Sequence, residues 1–92
     1  MKLCLRITFS VGVREGLLQK YVLKQATKLG IEGTAQFIDS ENVRVIACGL
    51  KEHVDDFVDA LHQGSAKYEL DDIQLEPFPK GRDYRGAFRV IE

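Results

Sequence analysis

The chain has 92 residues, of which 45% are hydrophobic and 29% charged, and its formal net charge is −1. This length fits one domain (residues 1–92), and the hydrophobic share is too high for a disordered chain. The small net charge gives no general attraction to nucleic acid or acidic membranes, and no apolar run approaches the roughly 20 residues that span a bilayer. Because the N-terminus alternates polar and apolar residues, unlike a signal peptide, we expect a cytoplasmic protein that binds neither nucleic acid nor membrane.

Hydrophobic periodicity predicts the element order βαββαβ, followed by a short C-terminal strand. In chain order the predicted elements are strand 2–9, helix 17–29, strand 31–38, strand 42–48, helix 50–62, strand 68–75 and strand 84–91. Gly30 and Gly64 follow the two helices, and residues 39–42 form a hairpin turn. The apolar phase of strand 68–75 changes midway, which predicts a bulge. Two interleaved βαβ units indicate an α+β, ferredoxin-like sandwich with one antiparallel sheet on two helices.

The two cysteines, Cys4 and Cys48, lie far apart in sequence and lack the spacing of metal ligands. In the predicted sheet the first and third strands are antiparallel neighbours, so these cysteines lie close together on the face away from the helices. A disulfide between them is geometrically possible, but in a reducing cytosol we expect two buried thiols. The acidic residues of helix 50–62 follow its solvent face, and we expect no metal and no cofactor.

Acidic residues dominate between Leu50 and Glu76, whereas basic residues prevail after Val11 and again near the C-terminus. We interpret these segments as solvated faces. The alternative is a docking surface for a protein partner, which the sequence does not identify.

A family resemblance runs over nearly the whole chain and is carried by four short segments. The loop before the first helix reads Val13-Arg14-Glu15-Gly16-Leu17-Leu18-Gln19, and that helix ends Ala26-Thr27-Lys28-Leu29-Gly30. The next strand reads Gly33-Thr34-Ala35-Gln36-Phe37, and the third ends Ile46-Ala47-Cys48-Gly49. This frame resembles the acylphosphatase family, whose loop reads V-Q-G-V-x-F-R before a helix ending A-x-x-L-G, and whose next strand reads G-x-V-x-N.

The resemblance implies the fold of a family of enzymes that hydrolyse acyl phosphates to a carboxylate and phosphate without a cofactor. In the family the loop amides and one arginine hold the phosphoryl group, and one asparagine positions the attacking water. The arginine position falls on Gln19, the asparagine position on Phe37 and the loop glycine on Glu15. The resemblance therefore makes residues 13–19 the anion-binding loop, with both catalytic positions substituted.

Each substitution has a physical consequence. Gln19 keeps a hydrogen-bond donor but has no charge, and Phe37 has no side-chain group that orients water. Glu15 adds a negative charge where an anion would bind, and its Cβ restricts a turn that glycine makes freely. We therefore expect no hydrolysis, and a binding or interaction module for a small anion or a protein partner.

The alternative is an active acylphosphatase in which Arg14 replaces the missing arginine in binding phosphate. Arg14 is equally compatible with a solvated surface side chain, Gln19 with a surface position at the helix start and Phe37 with packing.

Overall fold

The computed structural model describes residues 2–77 and 87–91. In chain order its elements are β1 (Lys2–Val11), α1 (17–28), β2 (Glu32–Phe37), β3 (Asn42–Leu50), α2 (Lys51–Gln63), α3 (Ser65–Tyr68), β4 (Leu70–Pro77) and β5 (Phe88–Ile91). Helix α1 begins as a π-helical segment, Leu17–Val22, and continues as an α-helix over Leu23–Lys28. The predicted element order is confirmed, with α3 as one additional short helix.

The five strands form one sheet in the order β4-β1-β3-β2-β5. Strand β1 pairs antiparallel with both β3 and β4, and β2 pairs antiparallel with β3. Strand β5 runs parallel to β2, so the sheet is mixed and the expectation of a purely antiparallel sheet is wrong. Because β4 already occupies the free edge of β1, the last strand adds at the free edge of β2. The α+β, ferredoxin-like sandwich itself is confirmed.

The hydrophobic core lies between the sheet and the helices. The largest fully buried side chains come from β1, β3 and the first two helices: Phe9, Phe57, Ile7, Leu17, Leu61, Val22, Val43, Val45 and Val54. In α1, Leu18, Val22 and Ala26 recur at helical spacing and are all buried, and the partly buried Leu29 packs against the same core. Phe57 of α2 also faces Phe88 of β5, with ring centroids 6.1 Å apart. The spacing of the apolar residues therefore decides which side of each element meets the core.

A tyrosine pair joins the two main helices to α3. The Tyr21 hydroxyl donates a hydrogen bond to the Ala60 carbonyl, and its ring lies 5.4 Å from that of Tyr68. The pKa of Tyr21 is raised, mainly because burial disfavours its charged form and to a smaller extent because of the electrostatic effect of the neighbouring Tyr68. Tyr68 was expected to begin the fourth strand, but it ends α3 and is buried. The Tyr68 ring packs in the hydrophobic core, and the fourth strand begins two residues later, at Leu70.

The β2–β3 hairpin turns on Asp39, as predicted. The Asp39 carboxylate accepts hydrogen bonds from the backbone N–H groups of Glu41 and Asn42, both at 2.8 Å. The Asn42 side-chain amide donates a third at 3.0 Å. The bond from Glu41 is the largest of the effects that hold the pKa of Asp39 below its ordinary value. The turn thus forms from side-chain hydrogen bonds within its own four residues.

The bulge predicted in the fourth strand is also confirmed. Thr8 pairs with Gln74 and Ser10 with Asp71, so one residue of β1 opposes two of β4. Asp72 in this bulge has φ 53°, in the left-handed region that Asp tolerates better than most residues. The extra residue explains why the apolar phase changes midway through β4. Residues 84–86 of the predicted last strand, and Pro79 and Gly81 of the predicted loop before it, lie outside the described residues.

Cys4 and Cys48 are direct partners in the β1–β3 ladder, with Cα atoms 4.1 Å apart. Leu3, Leu5 and Ala47 pack into the core, so strand alternation places the two cysteines on the opposite face, as expected. The structure joins them by a disulfide, where two thiols were expected from a reducing cytosol. Direct pairing across the ladder is what places the two cysteines side by side.

Within residues 2–77 and 87–91, no helix has the length and apolar character required to cross a membrane.

Loss of the disulfide should lower the free energy of unfolding by about 2–4 kcal/mol. The bond links residues 44 positions apart, and without it the unfolded chain gains conformational freedom. Urea unfolding of the Cys4→Ala/Cys48→Ala variant, followed by circular dichroism, measures the effect. The natural protein in reductant should also lose stability, whereas the variant should not respond to reductant. Equal midpoints for the oxidised natural protein and the variant would contradict this expectation.

Gly33→Ala should destabilise the protein by about 4 kcal/mol or more, the range of severe core disruptions. Gly33 has φ 144°, and a Cβ there would lie 1.8 Å from the Ile46 carbonyl oxygen in the next strand. Gly30→Ala is the matched control, because Gly30 has φ 69° with nothing within 4 Å of a new Cβ. It should cost only the backbone strain, about 1–2 kcal/mol. Urea unfolding separates the two, and equal losses would contradict the close approach at Gly33.

Candidate functional site

The loop between β1 and α1 closes in a tight turn at Gly16. The Leu17 N–H donates to the Arg14 carbonyl at 3.1 Å, and Gly16, at the third position of this turn, has φ 78° and ψ −5°. Glycine is the residue that this position of a type II turn favours. The Gly16 carbonyl then accepts hydrogen bonds from the N–H groups of Lys20 and Tyr21, at 2.9 and 3.2 Å. Gly16 therefore both turns the chain and starts α1.

Glu15 does not strain this turn. Among the described residues other than glycine, only Glu69 and Asp72 have positive φ. The left-handed position is occupied by Gly16, one residue after the position at which the resemblance places the loop glycine. The expectation that the Cβ of Glu15 restricts the turn is therefore wrong, because Gly16 and not Glu15 has the left-handed conformation in this loop.

Hydrogen bonds to the neighbouring connection hold the loop in place. The N–H groups of Gly12 and Val13 donate to the carbonyls of Glu69 and Tyr68, at 3.1 and 3.0 Å. Within the described part of the chain, four loop amides donate to no backbone carbonyl: those of Arg14, Glu15, Gly16 and Leu18. Backbone N–H groups at a helix start are suitable donors to an anion.

A cavity of about 390 Å³ lies beside this loop. Its described lining comes from the loop and α1, from the end of β2 and from the end of β5: Arg14, Gly16, Leu18, Gln19, Phe37 and Ile91. Strands β1, β2 and β5 run in one direction, so the chain leaves all three at the same end of the sheet. This arrangement places Phe37, at the end of β2, beside Arg14 and Gln19 of the loop and α1.

The other residues of the predicted loop do not line the cavity. Leu17 is fully buried in the core, and Val13 packs against the core from the loop. Glu15 is exposed. The cavity adds Ile91, which sequence reasoning missed. Ile91 reaches the cavity because β5 pairs in parallel with β2. The apolar pattern of the sequence does not show this pairing and so could not identify Ile91.

Arg14 lies over Phe37 inside this cavity. The Arg14 Cζ atom is 4.3 Å from the centroid of the Phe37 ring, which is the geometry of a cation–π contact. Arg14 forms no ion pair with a carboxylate within residues 2–77 and 87–91. The guanidinium keeps its N–H donors, which lie in the guanidinium plane and are able to bind an anion.

The described lining offers little for acid–base or metal chemistry. Arg14 is its only ionisable residue, and an arginine side chain does not deprotonate in proteins. In the part of the chain that the structure describes, no group of three or more His, Cys, Asp or Glu residues could hold a metal ion. The arrangement is suited to binding an anion by charge and hydrogen bonds.

Comparison with known proteins agrees with this fold. The Acylphosphatase family model matches residues 12–90. An acylphosphatase of Vibrio parahaemolyticus is 35% identical over 67 residues, which cover 73% of this chain and 72% of that relative.

Two solved acylphosphatase structures superimpose closely on the chain. That of Bacillus subtilis has a TM-score of 0.85 at 22% identity and covers 100% of both chains. That of Coxiella burnetii has a TM-score of 0.84 at 23% identity, covering 98% of this chain and 93% of its own. At these identities the two structures show the shared fold. Together with the family match and the Vibrio relative, they lead to one conclusion: the chain belongs to the acylphosphatase family.

Proposed function

We propose that this domain binds a small anion in the cavity beside the β1–α1 loop and does not hydrolyse acyl phosphates. The observation that carries the proposal is the Phe37 ring beneath the Arg14 guanidinium, with 4.3 Å between the Cζ atom and the ring centroid. A cation is thus present in the cavity, while the position at which the resemblance expects a water-positioning asparagine holds an aromatic ring.

Binding is supported by the charge and by the donors of the loop. The Arg14 guanidinium is permanently charged, and hydrogen bonds from arginine to an anion are about twice as strong as neutral ones. The loop amides that donate to no described carbonyl lie in the same turn. These groups favour an anion without requiring a metal or a cofactor.

The absence of hydrolysis is supported by the substitutions at the two catalytic positions. Phe37 offers no hydrogen bond to a water molecule, so attack has no oriented nucleophile. Gln19 is neutral, so it stabilises a developing charge less than an arginine would. Removal of one electrostatic contact of this kind from a site typically costs about 10²–10³ in rate.

Hydrolysis with Arg14 in the role of the family arginine is the second candidate. It is favoured by one observation, that Arg14 and Gln19 line the same cavity. In this case Arg14 would hold the phosphoryl group and the Gln19 amide would orient the water. The two candidates differ in whether the natural protein hydrolyses an acyl phosphate.

Hydrolysis of benzoyl phosphate is the test of these two candidates. We expect the natural protein not to exceed the uncatalysed rate, and the Gln19→Arg/Phe37→Asn variant to be at least about 100-fold faster than the natural protein, since it regains both charge and water orientation. The matched control is Gln63→Arg/Ile38→Asn, which replaces a glutamine by arginine and a large apolar residue by asparagine at two exposed positions outside the cavity. The control should remain as slow as the natural protein.

Turnover by the natural protein that is lost in Arg14→Ala would contradict the proposal and establish the second candidate. If the folded double variant is also silent, the loss of hydrolysis is not explained by Gln19 and Phe37, and this part of the proposal is wrong.

A further inference from the structure

We infer that the cavity takes an organic monocarboxylate with an aromatic or acyl group, and prefers it to inorganic phosphate. This inference rests on the proposed anion binding and names the ligand class. Three features of the described residues carry it: the apolar wall, the geometry of the Arg14 guanidinium and the charges around the loop.

Half of the described lining is apolar, with Leu18, Phe37 and Ile91 from three different elements. Ile91 is 47% exposed, among the most exposed large hydrophobic side chains of the described chain. The cavity volume of about 390 Å³ lies within the roughly 300–1,000 Å³ of small-molecule sites. Inorganic phosphate would leave this wall in contact with water, whereas an apolar group would cover it and gain from its burial.

The guanidinium of Arg14 is presented in a way that fits a carboxylate. Its Cζ atom lies 4.3 Å from the centroid of the Phe37 ring, and its N–H donors lie in the guanidinium plane. Two parallel N–H donors match the two oxygen atoms of a carboxylate in one plane. The apolar group of such a ligand would then extend towards Leu18 and Ile91.

The charges around the loop favour a single negative charge over two. Arg14 is the only cation of the described lining, and the adjacent Glu15 carries a negative charge. The Glu69 carboxylate also lies against the loop, since a Cβ at Gly12 would be 2.7 Å from its Oε1 atom. The Lys20 side chain lies against Gly16 of the same loop, so Glu15 and Glu69 balance Arg14 and Lys20, and the loop has no excess positive charge that would hold a doubly charged phosphate.

Titration of the isotope-labelled protein with benzoate, acetate and inorganic phosphate, followed by NMR of the backbone amides, tests the inference. We expect benzoate to bind at least about 10-fold more tightly than acetate or phosphate, with shifts centred on residues 14–19, Phe37 and Ile91. Acetate has the same carboxylate without the ring, so the ratio reports the apolar wall.

Two variants and their matched controls separate charge from apolar contact. Arg14→Gln should weaken benzoate at least about 10-fold, and Ile91→Ser should weaken benzoate about threefold or more while leaving acetate unchanged. Arg44→Gln makes the same charge change, and Leu75→Ser also replaces a large aliphatic residue by serine; both positions are exposed and outside the cavity, so these controls should have no effect. Arg14 is exposed and Ile91 half-exposed, so these variants should retain the amide spectrum of the folded protein.

The opposite outcomes are distinct. Phosphate that binds as tightly as benzoate, and depends on Arg14, would overturn the inference and leave the proposed anion binding in place. If none of the three anions shifts the cavity residues, both the inference and the proposed binding fail. Benzoate binding that is insensitive to Arg14→Gln would place its site elsewhere and would overturn the inference.

Discussion

The antiparallel pairing of β1 with β3 is the constraint on which the rest of the structure depends. Its ladder runs from the Lys2–Leu50 pair to the Ser10–Asn42 pair and forms the centre of the sheet. One face of this pair supplies fully buried side chains, such as Ile7 and Val45, to the core beneath the helices. The other face holds the Cys4–Cys48 disulfide. The remaining strands add outward from this pair, β4 beside β1 and β2 beside β3.

The position of the site follows from strand direction. Because β1, β2 and β5 run the same way, the β1–α1 loop, Phe37 and Ile91 lie at one end of the sheet. Ladder bonds and core packing hold this end: Leu18 belongs to the core, and Phe37 and Ile91 pair in the ladders, whereas the Arg14 side chain is exposed. Side chains there can change without loss of the fold, which is how one fold supports different chemistries.

The Arg14–Phe37 contact illustrates such a change. The positions that the resemblance assigns to an arginine and an asparagine hold Gln19 and Phe37, and the nearby cation comes from Arg14 instead. A cation on an aromatic ring is oriented by the ring, with an interaction worth about 0.5–2 kcal/mol. The cavity therefore combines a charge with an apolar wall, a combination suited to recognising an organic anion rather than to orienting water.

The sequence by itself determined the features whose physical causes are local. Alternation and helical spacing located the elements, the residues of the Asp39 turn specified the hairpin, and the change of apolar phase in β4 revealed the bulge. The family resemblance in addition predicts that Gln19 and Phe37 occupy the catalytic positions of the family. Four features follow from the fold instead: the parallel direction of β5, the contribution of Ile91 to the cavity, the contact of Arg14 with Phe37 and the left-handed turn at Gly16. These depend on which distant segments meet and at what register, and periodicity within one segment carries no information about its partners.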